Sequence, residues 1–310
     1  MKQVILDTDM GSDCDDAVAL ALLLRKMRNG ECEILCVTAA TTRRGATATI
    51  SEICTKYLFP DIPVGKMAPP ALPCDKKDNF AGAVAKLYGR KDNRTDAVSL
   101  MRKILAEAEG KVVLTEIGPL TNIARLLQSA PDVYSEKTGE ELVREKAEEL
   151  FVMGGSFRLN YKIWDRKQPL IREWNIDQDI AAAKFVVKNI PCPICFVPFE
   201  AGADIYAEIR ESEKNPVWDC AREFACKFGL PCEGTFFRPC WDPVTCLCAV
   251  ADVRKYYRFS GFGKVTVTKT GKTFFSLKKG GNARIVLLRE NYKEIAKEIA
   301  KEIAKEISIL

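Results

Sequence analysis

Apolar residues along the chain fall into two alternating patterns. Short runs that are apolar at nearly every position are typical of strands buried on both faces of a sheet. They occupy residues 4–6, 33–38, 112–117, 150–153 and 194–198. Longer segments with apolar residues three and four positions apart are typical of helices that pack one face on a core. They occupy residues 15–26, 47–58, 98–109, 118–127 and 180–189.

This succession of strand and helix predicts an α/β fold, in which an open and mostly parallel sheet carries helices on both faces. The rhythm changes near the end, because residues 263–277 contain two strand-like runs separated by Gly271. They predict a small antiparallel hairpin. No long polar linker interrupts the chain, so we expect a single domain over residues 1–310.

The C-terminal segment repeats the four residues Lys-Glu-Ile-Ala, and each of them is compatible with a helix. The isoleucines form one apolar stripe, at positions 295, 299, 303 and 307. We expect a helix over residues 291–310 that packs this stripe on the body of the protein. A contact between subunits through the same stripe is the alternative.

Composition excludes several classes of function. The 47 basic and 42 acidic residues give a net charge of +5 without a long basic block, so nothing favours nucleic-acid binding. No apolar run approaches the ~18 residues of a membrane span. The chain has no histidine, which excludes Ser-His-Asp and Cys-His catalysis and histidine-ligated zinc. Carboxylates, amides, aromatic rings, Arg, Lys or Cys must therefore carry any catalysis.

The 13 cysteines follow a strand-like start rather than an export signal. We therefore expect thirteen free thiols and a cytoplasmic protein. Cys192 and Cys195 have the spacing of a redox pair, but they lie in an apolar run beside Pro193, which favours simple burial. A zinc ribbon would need a second pair, and Cys246 and Cys248 have the wrong spacing.

The most informative segment is acidic. Five aspartates occur within ten residues at a strand end and helix start, at positions 7, 9, 13, 15 and 16. Helix capping and a solvated surface are the alternative explanation, but they account for only one or two of them. Crowded carboxylates repel each other, and a hard cation such as Ca²⁺ removes the conflict through oxygen coordination. An EF-hand is a poor match, because no helix precedes the loop and no glutamate occupies its twelfth position.

Several ordered motifs give the chain a family resemblance. DTDMGSDCDDAVAL (7–20) resembles the DxDxGxDD signature of the inosine-uridine-preferring nucleoside hydrolases, with two extra residues before the paired aspartates. Further segments resemble that family in order: FPDIPVG (59–65), TEIGPLTNIARLL (115–127), FVMGGSF (151–157), REWNIDQDIAAAKFV (172–186) and PCWDPVTCLCAV (239–250). The resemblance covers roughly residues 3–290. It implies the Rossmann-like fold of the family and an enzyme of nucleoside salvage.

The resemblance also implies a reaction, which is Ca²⁺-dependent hydrolysis of the N-glycosidic bond of purine or pyrimidine ribonucleosides. The products are ribose and the free base, formed through an oxocarbenium-like transition state. The implied Ca²⁺ ligands are Asp9, Asp16, Asp242 and the backbone carbonyl of Ile117. In the same way, Asp9 is implied as the general base for the attacking water. The family is commonly dimeric or tetrameric, so a homodimer or homotetramer is expected.

Further roles follow from matching positions. Asp15 would bind a ribose hydroxyl and orient the water, and Asn160, Glu173 and Asn175 would bind ribose. The two-residue insertion leaves open whether Asp13 takes the place of Asp15 or Asp16. Asp7 is expected to brace the loop through hydrogen bonds.

The base-binding half departs from the family. Many members carry histidine where this chain has Trp241, which is either a base-stacking ring or a core residue. Many members carry asparagine near Arg43 and Arg44, which either contact an acidic or phosphorylated substituent or are surface charges. Further candidates for the base pocket are Tyr161, Trp164, Trp174 and Arg238. Two other functions stay open, namely a homologue that binds nucleoside or ribose with weak or no catalysis, and a hydrolase of another N-riboside.

Overall fold

A computed structural model describes residues 1–76, 80–93, 95–157 and 171–307. The strands in these ranges are β1 (Lys2–Thr8), β2 (Cys32–Ala39), β3 (Val64–Lys66), β4 (Val112–Glu116), β5 (Ala147–Met153), β6 (Ile194–Val197), β7 (Tyr206–Arg210), β8 (Thr235–Pro239), β9 (Arg258–Phe259), β10 (Gly263–Val267), β11 (Thr273–Leu277) and β12 (Ala283–Leu287). The α-helices are α1 (Asp15–Arg28), α2 (Ala46–Lys56), α3 (Phe80–Leu87), α4 (Ala97–Glu107), α5 (Thr121–Gln128), α6 (Gly139–Lys146), α7 (Trp174–Gln178), α8 (Ile180–Asn189), α9 (Phe199–Gly202), α10 (Pro216–Lys227), α11 (Trp241–Val250) and α12 (Tyr292–Ile307). A short 3₁₀ helix spans Pro73–Lys76.

One ten-stranded sheet organises the fold. Its strands follow the order β11-β10-β12-β6-β5-β4-β1-β2-β3, and β9 pairs with β12. Every pair from β12 to β3 is parallel, whereas β10 is antiparallel to both β11 and β12. The structure therefore confirms the α/β class, the mostly parallel sheet and the C-terminal hairpin. A separate antiparallel ribbon of β7 and β8 was not predicted.

The sheet has an apolar core on each face. Side chains of β1 alternate between the two, because successive residues of a strand point to opposite sides. Val4 and Leu6 pack with residues of α1, α10 and α11, whereas Ile5 packs with residues of α4, α5 and α8. The uniformly apolar runs of the sequence are thus strands with both faces covered.

The C-terminal helix α12 packs on the body of the protein. Its four stripe isoleucines are buried at positions 295, 299, 303 and 307, and α12 contacts α1 and β7. Tyr292 begins the helix, and its hydroxyl donates to the backbone carbonyls of Glu200 (3.1 Å) and Ala201 (2.9 Å). The stripe is therefore buried within the chain. Residues 308–310 lie outside the described residues.

The expectation of thirteen free thiols is wrong at two positions. Cys226 and Cys232 form a disulfide with Cα atoms 5.4 Å apart, because the chain reverses after α10 through Gly229 at φ +65°. The other eleven cysteines are free and buried. Burial raises the pKa of Cys192 to about 12 and raises that of Cys195 well above its ordinary value. Such thiols are poor nucleophiles, which agrees with burial rather than a redox role.

Among the helices that the structure describes, none combines the length and apolar character that crossing a membrane requires.

Candidate functional site

The parallel strands reverse their order of connection between β1 and β4. The chain runs outward from β1 to β2 and β3, and then returns to place β4 on the other side of β1. Ligands of open α/β sheets bind in the crevice that such a reversal leaves at the carboxyl ends of the strands. A cavity of about 500 Å³ lies here, lined by Asp9 after β1 and Ile117 after β4.

Gly118 allows these two strand ends to approach closely. A Cβ atom at Gly118 would lie 2.9 Å from the backbone nitrogen of Asp9 and 3.1 Å from its Cβ. Any larger residue would therefore push the two loops apart. Ile117 is further tied to the first strand, because its N–H donates to the Asp7 carbonyl at 2.9 Å.

Three buried carboxylates meet at the floor of the cavity. Asp15 and Asp16 begin α1, and Asp242 lies in the first turn of α11. One oxygen from each lies within 4.8 Å of the others. The backbone N–H groups of Trp241 and Asp242 donate to Asp15 at 3.1 and 3.2 Å, and the Thr8 hydroxyl donates to Asp16. Two helix N-termini therefore partly offset the negative charge.

Hydrogen bonds do not neutralise this cluster. Burial and the neighbouring carboxylates raise the pKa values of Asp15, Asp16 and Asp242 well above the ordinary range. Burial also raises the pKa of Asp9 to about 6, although the Arg43 guanidinium acts against it. The Oδ2 atoms of Asp9 and Asp16 have no hydrogen-bond partner in the described part of the chain.

The cluster fits a divalent cation. Oxygens that share one Ca²⁺ at about 2.3–2.6 Å can be at most about 5 Å apart, and the observed limit of 4.8 Å meets that condition. The close set of carboxylates contains Asp15 beside Asp16 and Asp242 and does not contain Asp9, which lines the same cavity together with Ile117. Asp15 is thus as well placed as the residues expected to be ligands.

Asn175 and Glu173 hold the wall beside Ile117. The Asn175 amide donates to the carbonyls of Ile117 (3.1 Å) and Met153 (3.2 Å). The Glu173 carboxylate caps α7 by accepting from the N–H groups of Asn175 (2.9 Å) and Ile176 (3.1 Å), and it also accepts from Gly155 (3.1 Å). Burial raises the pKa of Glu173 to about 7 despite these bonds. Both residues line the cavity.

Asp13 does not enter the carboxylate cluster. Its side chain forms a two-point ion pair with Arg238, in which Nε of Arg238 donates at 2.8 Å and Nη2 donates to the second oxygen. Asp15 and Asp16 therefore keep the places next to Asp242, and the two-residue insertion directs Asp13 toward β8. Asp7 lies below the cavity and accepts from Thr38 (2.7 Å) and Asn122 (3.0 Å), so it joins the neighbouring elements by hydrogen bonds.

Aromatic rings line the part of the cavity around Trp241, which we call its aromatic end. Trp241 and Phe199 stack with ring centroids 5.2 Å apart, and the indole N–H donates to the Phe199 carbonyl at 3.1 Å. Phe224, Phe228 and Trp174 also line the cavity; Phe224 is buried, whereas Phe228 and Trp174 are exposed. The cavity thus offers both clustered carboxylates and flat apolar surface.

The sequence identified part of this aromatic end. The candidates from the sequence that line the cavity are Trp241, Trp174 and Arg238. The cavity is also lined by Phe199, Phe224 and Phe228, which no motif of the sequence had indicated. The expected ribose contact Asn160 lies outside the described residues, as do Tyr161 and Trp164.

The two arginines after β2 have different surroundings. Arg43 is buried between Asp9 and Asp75, at 3.8 and 3.9 Å, so it is not a surface charge. Nothing in the sequence pointed to Asp75. Arg44 lines a separate groove of about 890 Å³, in which Lys66 pairs with Asp92 at 3.0 Å. That groove is larger, but the clustered buried carboxylates belong to the smaller cavity.

Comparison with known proteins gives a consistent result. The family model described as "Inosine-uridine preferring nucleoside hydrolase" matches residues 4–302. A pyrimidine-specific ribonucleoside hydrolase RihA of Shewanella sp. (strain ANA-3) is 30% identical over 264 residues, which cover 79% of this chain and 76% of the relative. An uncharacterised Schizosaccharomyces pombe protein is 30% identical over 225 residues, covering 69% of this chain and 64% of that protein.

Solved structures share the fold at low sequence identity. The inosine-uridine preferring nucleoside hydrolase from Bacillus anthracis has a TM-score of 0.65 at 18% identity and covers 99% of this chain and 100% of its own. The purine-preferring ribonucleoside hydrolase from Gardnerella vaginalis has a TM-score of 0.66 at 20% identity, with full coverage of both chains. The effector protein XOO4466 has a TM-score of 0.71 at 16% identity and covers 99% of this chain and 94% of its own.

Proposed function

The chain belongs to the inosine-uridine preferring nucleoside hydrolase family, a family of N-glycosyl hydrolases, and we propose that it hydrolyses the N-glycosidic bond of ribonucleosides with the help of Ca²⁺. The products are ribose and the free base. One observation carries this proposal, namely the meeting of three buried carboxylates from two helix N-termini at the floor of a cavity. Such a cluster is stable as a set of anions only with a cation present.

The proposed Ca²⁺ site uses Asp9, Asp16, Asp242 and the Ile117 carbonyl. Asp15 is available as a further oxygen ligand or as the acceptor of a ribose hydroxyl. When bound, Ca²⁺ would orient the ribose hydroxyls and the attacking water and would make that water more acidic. The Asn175 amide, which donates to the Ile117 carbonyl, positions this backbone ligand.

Several side chains are proposed to bind ribose or to assist the reaction at C1′. Asp9 accepts a proton from the water that attacks C1′, because its Oδ2 atom has no competing hydrogen bond within the described ranges. Asp15 binds a ribose hydroxyl. Glu173 and Asn175 line the sugar end, and the Glu173 carboxylate favours the positive charge that develops on ribose. Asn160 stays in this set on sequence grounds alone.

Trp241 and Phe199 form the proposed base-binding wall. A purine or pyrimidine ring can stack on their apolar faces, and the hydrogen bond of the indole N–H to Phe199 fixes the ring plane. The RihA relatives are named for pyrimidine ribonucleosides, so uridine and cytidine belong in the first substrate set together with inosine and adenosine.

Ribose release from these four nucleosides tests the proposal. The purified protein is incubated with each of them in millimolar Ca²⁺, and reducing sugar is measured over time. EDTA should abolish ribose release, and Asp242→Asn should reduce it by at least about 100-fold, because a metal ligand contributes no less than the residues that orient it. The matched control is Asp61→Asn, at an exposed position away from the cavity.

The absence of histidine favours one other function, a protein that binds nucleoside or ribose without turnover. Calorimetric titration with inosine and with ribose separates the two. Tight binding without ribose release would support the binding protein, whereas turnover above the EDTA background excludes it. Hydrolysis of an unrelated N-riboside, with the four nucleosides inert, would keep the reaction but change the substrate.

The same proposal includes the organisation of the protein. A single domain over residues 1–310 is supported by the continuous sheet, whose strands run from Lys2 to Leu287. A homodimer or homotetramer is proposed from the family and is measured by light scattering after size-exclusion chromatography. A cytoplasmic location is proposed from the largely reduced cysteines.

A further inference from the structure

Arg238 lies in the cavity at its aromatic end. It belongs to β8, three residues before Trp241, and its side chain is 23% exposed. Two of its nitrogens, Nε and Nη2, donate to the carboxylate of Asp13. Its third nitrogen, Nη1, has no hydrogen-bond partner among residues 1–76, 80–93, 95–157 and 171–307. Asp13 therefore holds the guanidinium on one side, and the N–H groups of Nη1 remain available as donors to a ligand.

Two aromatic rings lie close to this guanidinium. Its central carbon lies 4.8 Å from the ring centroid of Phe224 and 5.4 Å from that of Trp241. These contacts hold a cation beside apolar surface and restrict water, so its remaining N–H groups act in a medium of low polarity. The ion pair with Asp13 weakens the charge seen at long range. It leaves the hydrogen-bonding capacity of Nη1 intact.

Departure of the base creates negative charge at this end of the cavity. When the C1′–N bond breaks, its electron pair stays on the base, and ribose becomes positively charged until water adds to C1′. The water loses one proton to Asp9, and the base anion gains one proton from solvent after it has left. No histidine is present to supply that proton earlier. A fixed hydrogen-bond donor would stabilise the anion during bond cleavage instead.

We propose that Arg238 is a catalytic residue that stabilises the departing base by hydrogen bonding through Nη1, which makes ribonucleosides of oxo bases the preferred substrates. The inference rests on the proposed hydrolase function. Arg238 keeps its own proton throughout, because a guanidinium does not deprotonate in proteins.

The preference for oxo bases follows from donor chemistry. Arginine has only N–H donors, so it pairs with a carbonyl oxygen and not with an exocyclic amino group. The anions of hypoxanthine and uracil place charge on such oxygens, and cytosine keeps a carbonyl oxygen at C2, whereas adenine has an amino group in place of the hypoxanthine oxygen. A buried donor that faces an amino group loses its hydrogen bond, which corresponds to about tenfold or more in rate. Inosine should therefore exceed adenosine.

The test compares leaving groups in wild type and Arg238→Met. Methionine keeps apolar contact with Phe224 and Trp241 but has no donor. We expect kcat/KM for inosine and uridine to fall by about 10²–10³-fold, as when a donor to a developing anion is removed. For p-nitrophenyl riboside, whose leaving group is stable as an anion, the loss should stay below about tenfold. Arg210→Met, at an exposed arginine of β7, is the matched control and should change neither value.

The outcomes separate the two proposals. If wild type cleaves neither nucleosides nor the nitrophenyl riboside, the hydrolase function fails. If wild type cleaves them and Arg238→Met loses activity equally toward all substrates, the proposed role of Arg238 is overturned. The role is also overturned if wild type prefers adenosine to inosine.

Chemical rescue gives a second test. Added guanidinium should restore inosine cleavage by Arg238→Ala at least about tenfold more than it restores cleavage of the nitrophenyl riboside. Equal rescue of both substrates, or no rescue, counts against the role. Should Arg238→Met unfold, Arg238→Gln provides the same comparison, because it keeps a neutral donor and should show a smaller but still selective loss.

Discussion

Nη1 of Arg43 lies 3.8 Å from Oδ2 of Asp9, and neither atom has a hydrogen-bond partner in the described residues. The same nitrogen of Arg43 lies 3.9 Å from Oδ1 of Asp75, whose carboxylate accepts from the N–H of Thr42 at 3.0 Å. The buried Arg43 guanidinium therefore lies next to Asp9, which is a proposed Ca²⁺ ligand. Arg43 and Ca²⁺ would share the charge of Asp9 rather than exclude each other.

Replacing Arg43 by methionine should destabilise the metal-free protein. Asp9 and Asp75 would remain buried without their cation, and breaking a buried pair in this way costs about 3–5 kcal/mol. Saturating Ca²⁺ should recover more stability in Arg43→Met than in wild type, because the ion neutralises Asp9. Urea unfolding in EDTA and in Ca²⁺ measures both effects. Arg44→Met, in the separate groove, is the control, and equal Ca²⁺ responses in all three proteins would contradict the shared role of Asp9.

Asp9→Asn should lose Ca²⁺ affinity and hydrolysis together. The amide keeps the size of the side chain but cannot accept the proton of the attacking water. We expect at least a 10²-fold loss of kcat at saturating Ca²⁺, measured by ribose release, and weaker binding in calorimetric titration. Full turnover by this variant would exclude Asp9 as the general base.

Asp16→Asn should separate stability from function. In metal-free protein, one fewer charge in the buried cluster relieves repulsion, so the free energy of unfolding should rise. The amide oxygen can still accept from Thr8. Ca²⁺ affinity should fall by at least about 100-fold. Thermal unfolding in EDTA and calorimetric Ca²⁺ titration test the pair of effects. A variant less stable than wild type in EDTA would show that the cluster is not strained by its charge.

Glu173 should make stability depend on pH. Its pKa is about 7 in the folded protein and 4.5 for the free group, so the folded state holds this proton longer than the unfolded state does. The associated stability is complete below about pH 4.5 and is lost as pH rises toward 7, on the order of 3 kcal/mol. The loss should be absent in Glu173→Gln, which cannot titrate. Urea unfolding of both proteins in EDTA between pH 4.5 and 8 gives the difference, and parallel curves would contradict the prediction.

Trp241→Ala should affect true nucleosides most. The indole ring is the proposed stacking surface for the base and also contacts Arg238, so kcat/KM for uridine and inosine should fall by at least about tenfold more than that for p-nitrophenyl riboside. Wild type should itself cleave the nitrophenyl riboside faster than either nucleoside, because the chain has no histidine acid. Phe237→Ala, at an exposed ring of β8, is the control. Equal losses for all substrates would make Trp241 a structural residue.

The carboxylate floor was predictable, and its surroundings were not. Asp15 and Asp16 are adjacent in sequence at a strand-to-helix turn, where local pattern and chemistry agree. Asp242 required a second motif, because only the fold brings α11 against α1. The pairing of Asp13 with Arg238 joins residues 225 positions apart, and no periodicity relates them.

The same limit explains the remaining surprises. Asp75 reaches Arg43 from a short 3₁₀ helix that has no distinct apolar pattern. Phe224 looks like any core residue on the apolar face of α10, and only the position of β8 makes it a neighbour of Arg238. The β7–β8 ribbon was missed because a helix separates its short strands along the chain.

The repeat in α12 has a consequence for how this helix finds its place. Because Lys-Glu-Ile-Ala recurs, a displacement of the helix by one repeat brings an isoleucine into three of the four stripe positions. The stripe therefore determines which face of α12 packs on the protein, but it does not determine the position of the helix along its axis. Tyr292 lies outside the repeat, and its hydroxyl reaches the backbone carbonyls of Glu200 and Ala201. A displaced helix could not satisfy these bonds, so a single tyrosine at the start of the helix selects one among several nearly equivalent alignments.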